Sequence, residues 1–399
     1  MASTTGPRVN AGALFSSGFR PFFLLGAIYA PLVIATWFAP QTGFWSLFLP
    51  AAPAALVHAH ELLFGFAVAI VCGVLLTALP SWSGARELGG GRLALLASLW
   101  LAGRVVIWSA HVLPAPVVAL IDCALLPVLG VLLAPAMRGA RMRLFVWTLP
   151  PLVALLLGNL LYHLAVTLEL ADGARWSIWL GLYALAFLYS LYGGLLTPAF
   201  TRTFLRARGE PAAAIHVPIE YLTAAAMLVL AGLDLSAAPG PWIALAAFAA
   251  VALHLVRFAR WRGWRTVADP LLWTLHLGYL WFIGAIALRG FAETDAAVPR
   301  DAWIHAFTVG ALGLTMAGLM TRVVLRHTGR ALAVRASMLA AYGALFAAAV
   351  LRLAVPLAGA GAWAITAAAV LWALAFVIYL VAYGTMLLQP SLPRTGQAR

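Results

Sequence analysis

Four histidines and one glutamate are the residues of this chain whose types and spacing suit them to bind a metal. His58, His60 and Glu61 stand at the head of the apolar run VHAHELLFGF, His163 ends the stretch GNLLYH, and His305 lies in WIHAF. Imidazole is a common ligand of haem iron and of copper, whereas the scarcity of acidic residues argues against calcium or magnesium. These side chains are therefore the first candidates for a metal or haem site.

Helical spacing separates the two histidines of the first motif. An α-helix turns by about 100° per residue, so His58 and Glu61 share one face while His60 points to the other side. We expect Glu61 to accept a hydrogen bond from the ring of His58 and to orient it, as carboxylates often do for a ligating imidazole. His60 then remains available for a different centre.

The elements that must position these residues are membrane-spanning helices. The chain has 399 residues, 64% hydrophobic and 9% charged, with a mean hydropathy of +0.98. Apolar runs of about 20 residues cross a bilayer as helices, and this composition excludes a soluble globular domain. We predict an all-α, polytopic membrane helical bundle whose twelve helices lie near residues 19–39, 56–79, 93–111, 115–136, 144–168, 176–200, 216–233, 240–259, 270–291, 302–325, 333–354 and 362–388.

The basic residues predict how the helices are oriented. Lysine is absent, and the arginines crowd alternate short loops such as 257–265. By the positive-inside rule, both termini face the cytoplasm, and the formal charge of +13 reflects topology rather than a nucleic-acid partner. No hydrophilic stretch is long enough for a separate domain, so residues 1–399 are expected to form one transmembrane domain surrounded by lipid.

The predicted spans place the histidines at two depths. The four histidines named above enter their helices close to the expected outer boundary, and several ionisable groups at one depth favour a functional site. His254 and His276 lie at a second depth, nearer the cytoplasmic side. For these two, a hydrogen bond to a neighbouring helix is the more common role, with metal ligation as the alternative.

Three other charged residues have simpler interpretations. Arg104 and Asp122 lie at matching depths in adjacent spans, which predicts a buried ion pair between neighbouring helices. Arg352 lies near the outer end of its span. Its side chain either extends to the membrane interface or faces a haem propionate.

Five blocks of sequence carry a family resemblance. They are LFSSGFRPFFLL, HAHELLFGFAVAIVCGVLLTALPSWSG, GNLLYH, RWRGWRTVADPLLWTLHLGYLW and IHAFTVGALGLTMAGLMTRVVLRHTGR, and together they extend over most of the chain. In content and order they resemble the NnrS family of bacterial membrane proteins. The resemblance implies a twelve-helix protein of the bacterial inner membrane that binds haem b and copper and serves the response to nitric oxide. Its motifs fall on His58, His60, Glu61, His163, His276, His305, Arg322, His327 and Arg330.

The chain departs from the family pattern at two positions. Val57 stands where the family usually has Trp, and Leu195 follows Gly193 and Gly194 where the family tends to have Arg. Twelve helices with histidines on the second and tenth also give a distant likeness to haem-copper oxidases. This chain lacks the H-x-H of those enzymes on its tenth helix and their adjacent histidine pair, so their reactions are not assigned to it.

These patterns lead to a provisional assignment of ligands. The second and tenth helices run in the same direction and carry histidines at equal depth, so His60 and His305 are expected to be the axial ligands of one haem. His58 is the less favoured ligand on the second helix, and Arg352 is the expected partner of a propionate. Copper is expected to need His163 or His276 as a neutral imidazole ligand.

Three functions follow from this assignment. The first is a haem and copper protein that relieves nitrosative stress by binding or turning over nitric oxide or nitrosyl species, whether or not it is an enzyme. The second is a transporter of a small solute, a metal or haem, although the paired interrupted spans typical of transporters are not evident. The third is an electron-transfer subunit with a quinol or another redox partner.

Overall fold

The computed structural model describes residues 11–38, 52–138, 143–212 and 214–393, and these residues form helices and no β-strand. Twelve of the helices are long and apolar enough to cross a membrane, which confirms the predicted polytopic bundle. Each predicted span falls on one of them. They are α1 (Phe19–Trp37), α2 (Ala54–Ser83), α3 (Gly91–Trp108), α4 (Ala115–Met137), α5 (Val146–Thr167), α6 (Ala171–Ala207), α7 (Val217–Leu235), α8 (Gly240–Arg260), α9 (Pro270–Phe291), α10 (Ala302–His327), α11 (Ala336–Ala358) and α12 (Ala362–Leu388).

Proline and glycine define several helix ends. Helices α2, α4 and α8 begin directly after Pro53, Pro114 and Pro239, where a missing backbone N–H costs little and the fixed φ suits entry into a helix. Helices α2 and α11 end at Gly84 and Gly359, which adopt the left-handed conformation with φ of 76° and 67°. This conformation is the common helix stop that glycine adopts without steric cost.

The helices differ in how much apolar surface they leave exposed. In α2 and α6 about four fifths of the most apolar stretch is buried (78% and 83%), whereas in α7 and α8 the fraction is 28% and 33%. Large apolar side chains such as Val229 and Leu245 are more than half exposed on α7 and α8. An apolar exposed surface is what contact with lipid requires, so α7 and α8 suit the lipid boundary and α2 suits a position inside.

Two helices are interrupted by stretches of π-helix. One covers Glu61–Ala67 in α2 and begins directly after His60, and the other covers Ala306–Leu312 in α10 and begins directly after His305. π-Helical turns are rare and occur frequently at functional sites. Both stretches therefore favour a functional role for the histidine that precedes them.

The chain divides into two compact units. Unit 1 comprises Met1–Gly181, Met320–Ala333 and Phe376–Arg399, and unit 2 comprises Leu182–Leu319 and Val334–Ala375. Unit 1 thus contains α1 to α5, unit 2 contains α7 to α9 and α11, and the remaining helices contribute to both. The prediction of one transmembrane domain over residues 1–399 stays a prediction.

Within unit 1, Arg20 joins the start of α1 to the end of α12. Its guanidinium donates to the backbone carbonyls of Met386, Leu387 and Gln389 and is 1% exposed. The last carbonyls of a helix have no partner within the helix, so a cation at this end satisfies them. This contact accounts for the buried arginine of the LFSSGFRPFFLL block.

Candidate metal centre

His60 lies at the centre of a buried polar cluster in unit 1. Its Nδ1 is 2.8 Å from Oε1 of Glu61, and its Nε2 is 2.8 Å from Oδ1 of Asn159 and 3.3 Å from Oδ2 of Asp122. All three neighbours are hydrogen-bond acceptors at these atoms. Both ring nitrogens of His60 therefore donate, which is the hydrogen-bond pattern of an imidazolium.

The predicted pairing of Glu61 with His58 is wrong, because Glu61 bonds His60 instead. The prediction assumed regular α-helical spacing, but the π-helical stretch begins at Glu61 and changes which side chains share a face. His58 is half-buried, and its ring packs on Trp37 with centroids 4.6 Å apart. Glu61 is thus the orienting partner of His60 within this cluster.

Asp122 connects three helices to the cluster. Its Oδ1 accepts from Nη2 of Arg104, and its Oδ2 accepts from Nδ2 of Asn159 and from Nε2 of His163, each at 2.9 Å. The predicted buried ion pair between Arg104 and Asp122 is confirmed. With 5% of Asp122 exposed, its charge depends on these donors rather than on water.

Glu61 is held by two further donors besides His60. Arg104 contacts it through Nη1, and the Tyr29 hydroxyl donates to Oε2. The indole N–H of Trp108 in turn donates to the Tyr29 oxygen at 2.9 Å. A Cβ at Gly65 would lie 2.7 Å from the Tyr29 ring and 3.0 Å from Arg104 Nη1, so only glycine admits both side chains at this position.

The charge of this cluster is unbalanced before any proton on a histidine is counted. Glu61 and Asp122 bring two negative charges, and Arg104 brings one positive charge. Burying unpaired charge is costly, so the cluster needs one more cation. An imidazolium at His60 supplies it in the arrangement described, and a bound metal ion is the alternative.

The cluster offers ligand atoms for the copper that the family resemblance implies. His60, Asp122 and His163 are all buried, and one potential ligand atom from each lies within 4.8 Å of the other two. Two imidazoles and one carboxylate form a donor set that suits copper or zinc, and Glu61 and Arg104 are placed to orient the ligands from outside. The residues of this cluster therefore fit a small transition-metal ion.

The two haem ligands expected from the sequence, His60 and His305, lie in different units. An axial imidazole must offer iron a ring nitrogen, but both nitrogens of His60 are hydrogen-bonded, so Nε2 would have to release Asn159 and Asp122. His305 is half-buried and lies in unit 2, and Arg352 is half-buried in the same unit, where it interacts electrostatically with Asp301. The pairing of His60 with His305 around one haem stays a prediction, as does the role of Arg352.

Unit 2 contains a second buried polar cluster. Arg257 donates to Glu220, to the backbone oxygen of Ser190 at 2.8 Å and to the hydroxyl of Tyr279 at 3.1 Å. That hydroxyl is also 2.6 Å from Nδ1 of His254. Within the part of the chain that the structure describes, Nε2 of His254 has no hydrogen-bond partner although the residue is fully buried.

His276, the other copper candidate, lies beside this second cluster. Its Nε2 is 2.9 Å from Oγ1 of Thr201, and among the described residues its Nδ1 has no hydrogen-bond partner. A Cβ at Gly263 would collide with the His276 ring, so the backbone at Gly263 covers that nitrogen. His276 is 5% exposed. Among the described residues, the group of side chains that could hold a metal ion consists of His60, Asp122 and His163, and His276 does not belong to it.

Several residues of these clusters are not predicted from the sequence. Asn159 lies four residues before His163 in GNLLYH and hence on the same helix face, so its spacing was a usable signal. Tyr29, Glu220 and Tyr279 have no such signal in the sequence. The positive-inside rule predicts that Arg257 is a loop residue, but it lies in the last turn of α8 and is 2% exposed.

Comparison with known proteins identifies the family. No curated protein sequence matches this chain. The family model described as NnrS protein matches residues 13–391, which is nearly the whole length and includes every residue of the two clusters. The resemblance seen in separate blocks therefore extends over nearly the whole chain, and the chain belongs to the NnrS family.

Proposed function

We propose that this protein is a haem- and copper-containing membrane protein that relieves nitric oxide stress by binding or turning over nitric oxide or nitrosyl species. Membership of the NnrS family suggests a role in the nitric oxide response. The observation that carries the proposal is the buried group of His60, Asp122 and His163, which has the donor atoms and the charge to hold a metal inside a membrane helix bundle.

Copper is the metal that we propose for this group. Imidazole nitrogen is a preferred ligand of copper, and the surplus negative charge of the cluster favours a cation. Asn159 and Arg104 would keep the Asp122 carboxylate in place through their hydrogen bonds, and Glu61 would keep the His60 ring in place. Bound copper would coordinate a small ligand, and the oxidation state of the copper would change by one electron.

For the haem, we propose haem b with axial ligation by His305 and one histidine of the HAHE motif, with His60 before His58. Because Glu61 holds Nδ1 of His60, that ring offers a metal only its Nε2. Where His60 binds the haem iron, Asp122 and His163 are the copper ligands of the cluster. The π-helical stretches directly after His60 and His305 support a special role for both residues. Arg352 would then meet a propionate by charge-assisted hydrogen bonds. We place the protein in a bacterial inner membrane with both termini in the cytoplasm, where a quinol or another redox protein is the expected electron partner.

The visible spectrum of the purified protein tests this proposal. The expected result is a haem spectrum together with bound copper, and loss or five-coordinate shift of the haem bands on replacing His60 or His305 with Ala. His58→Ala is the matched control in the same motif and should disturb the spectrum less. Wild-type haem content and bands in both His60 and His305 variants would contradict the ligand assignment.

The same measurement separates the alternative functions. A colourless preparation without stoichiometric metal, obtained from cells supplied with haem, would contradict the proposal and favour a transporter. A haem that is reduced by a quinol, and whose spectrum nitric oxide leaves unchanged, would favour an electron-transfer subunit. A spectrum that shifts when nitric oxide is added is the result that the proposal predicts.

A further inference from the structure

The loop between α8 and α9 contains a short amphipathic turn at an arginine-rich end of unit 2. Residues Gly263–Thr266 form a 3₁₀ helix, in which side chains three positions apart lie one above the other. Gly263 and Thr266 are both buried and form an inner row. Trp264 and Val267, which directly follows the helix, form an outer row and are 60% and 71% exposed. The turn therefore presents an apolar pair to the surroundings of the protein.

Within the described residues, two arginines of this loop carry charges that no protein group neutralises. Arg265 donates to Glu210 at 2.8 Å, and Glu210 also contacts Arg208 at 3.4 Å. The guanidinium groups of Arg260 and Arg262, by contrast, make no hydrogen bond and no ion pair in this part of the chain. Segments 202–210 and 260–269, both in unit 2, together hold six arginines and two acidic residues. This surplus of positive charge favours an anionic partner.

Arg260 continues the exposed face of α8. Val256 lies four residues before it and hence on the same face, and both Leu255 and Val256 are about half exposed (46% and 54%). Large apolar side chains exposed on a membrane helix contact lipid chains. Helix α8 has 21 residues, so its length of about 30 Å matches the hydrocarbon core of a bilayer. Arg260, its last residue, therefore lies at the depth of the headgroups of the same lipids.

Arg262 adopts an uncommon backbone conformation. Its φ of 56° and ψ of 39° lie in the left-handed region, which glycine adopts without steric cost and a residue with a Cβ does not. Residues held in this region occur often at binding and active sites. An arginine here is less stable than a glycine would be, which supports a role for its side chain.

We propose that the loop between α8 and α9 binds the headgroup of an anionic phospholipid. Arg260 and Arg262 would donate to the phosphate oxygens, which guanidinium groups bind through parallel hydrogen bonds. Trp264 and Val267 would lie against the upper part of the lipid, the depth at which indole rings are enriched. The site uses no residue of the two buried clusters and does not depend on the proposed function.

The combination of charge and exposed apolar surface selects this lipid class. A zwitterionic lipid offers the same phosphate, but its headgroup also carries a cation that the surrounding arginines repel. Free phosphate would satisfy the arginines and would leave Trp264 and Val267 without an apolar partner. An anionic phospholipid supplies both the phosphate and the hydrocarbon.

Native mass spectrometry of the full-length protein, as purified in detergent, tests the site. Phosphatidylglycerol and phosphatidylcholine with identical acyl chains would be titrated, and the affinity of the tightest-bound lipid measured. We expect the wild type to bind phosphatidylglycerol more tightly. Each arginine near the surface should contribute about fivefold, so Arg260→Gln combined with Arg262→Gln should weaken this binding by roughly 20-fold.

Two matched controls separate this site from general features of the protein. Arg86→Gln combined with Arg92→Gln removes the same charge from two exposed arginines of unit 1 and should have a much smaller effect. Trp264→Ala should also weaken phosphatidylglycerol binding. Trp242→Ala, at the other end of α8, should leave it unchanged, although Trp242 is 59% exposed and thus matches Trp264.

The contrary results are equally specific. Equal affinity for the two lipids in the wild type, or unchanged affinity in the Arg260 and Arg262 double variant, would contradict the proposal. An equal loss in the Arg86 and Arg92 double variant would show attraction to net charge alone and would contradict it as well. Inorganic phosphate should displace no more lipid than chloride does at the same ionic strength. Stronger displacement by phosphate would contradict a lipid site and favour a site for a free anion.

Discussion

The buried histidines of the two units face different atoms, although both lie in apolar helices. Both ring nitrogens of His60 point at acceptors, and two carboxylates lie within the cluster. His254 contacts one hydroxyl, that of Tyr279, and within the described residues its second nitrogen has no partner. The surroundings of His60 thus suit a cation or a metal ligand, whereas those of His254 suit a neutral ring.

The balance of charge explains the difference. In unit 2, Glu220 and Arg257 form a pair whose charges cancel, so no further charge is required of His254. In unit 1, Arg104 is shared between Glu61 and Asp122, and one negative charge is left over. Buried charge is tolerated only when paired, so the spare carboxylate determines that unit 1, and not unit 2, needs a cation.

The largest effect is expected from Asp122→Ala. The change removes the acceptor of Arg104 Nη2, Asn159 Nδ2 and His163 Nε2 together, although Glu61 still pairs with Arg104. Each unmet buried donor costs about 1–3 kcal/mol, so we expect a loss of about 3 kcal/mol or more in the free energy of unfolding. Reversible unfolding in a bilayer or detergent measures it. Asp172→Ala removes an exposed ion pair with Arg175 and is the matched control, with little change expected. A small effect of Asp122→Ala would contradict the account of unit 1.

Double replacements sharpen the comparison between the two units. A double variant with Glu220→Leu and Arg257→Met removes a balanced pair. Most of the roughly 3 kcal/mol of unfolding free energy lost in either single variant should return. Replacing Asp122 and Arg104 in the same way should restore only part of the loss, because Glu61 then lacks its guanidinium.

Double-mutant cycles on unfolding free energies give both coupling terms. Simple additivity of the single changes at Arg104 and Asp122 would show that their pairing contributes nothing. Equal recovery in the two units would contradict the claim that only unit 1 has a surplus of negative charge.

A smaller effect is expected from Tyr279→Phe. The hydroxyl accepts from Arg257 and contacts His254. Its loss removes the partner of His254 Nδ1 and one of the hydrogen bonds of Arg257 Nη1, at a cost of about 1–3 kcal/mol. Tyr221→Phe is the matched control, since Tyr221 is 42% exposed. The copper content of the Tyr279 variant should equal that of the wild type, because this cluster is assigned no metal. Loss of copper in this variant would contradict the assignment of copper to unit 1 and would favour a copper site in unit 2.

The sequence was sufficient to predict the twelve helices and the pairing of Arg104 with Asp122. Hydropathy predicts the helices. The ion pair follows from two residues of opposite charge that lie at matching depths in adjacent helices. The partner of Glu61 could not be predicted, since the choice between His58 and His60 depends on a π-helical turn. Such a turn depends on tertiary contacts rather than on local pattern.

The polar partners in unit 2 were missed for a different reason. Arg257 is one of four arginines in 257–265, and the positive-inside rule treats all of them as loop residues. Only the packing of α7, α8 and α9 shows that this one is buried against Glu220 and Tyr279. Position in a sequence gives the depth of a residue in the membrane, but it does not show which way its side chain turns.

Copper content per chain tests the central claim most directly. Elemental analysis would compare the purified wild type with His163→Ala, which removes a proposed copper ligand of the unit 1 cluster, and with His276→Ala, which removes a buried histidine of unit 2. We expect about one copper per chain in the wild type and in His276→Ala, and loss of copper in His163→Ala. Copper retained in His163→Ala, or lost only in His276→Ala, would contradict the proposal that copper binds in the unit 1 cluster.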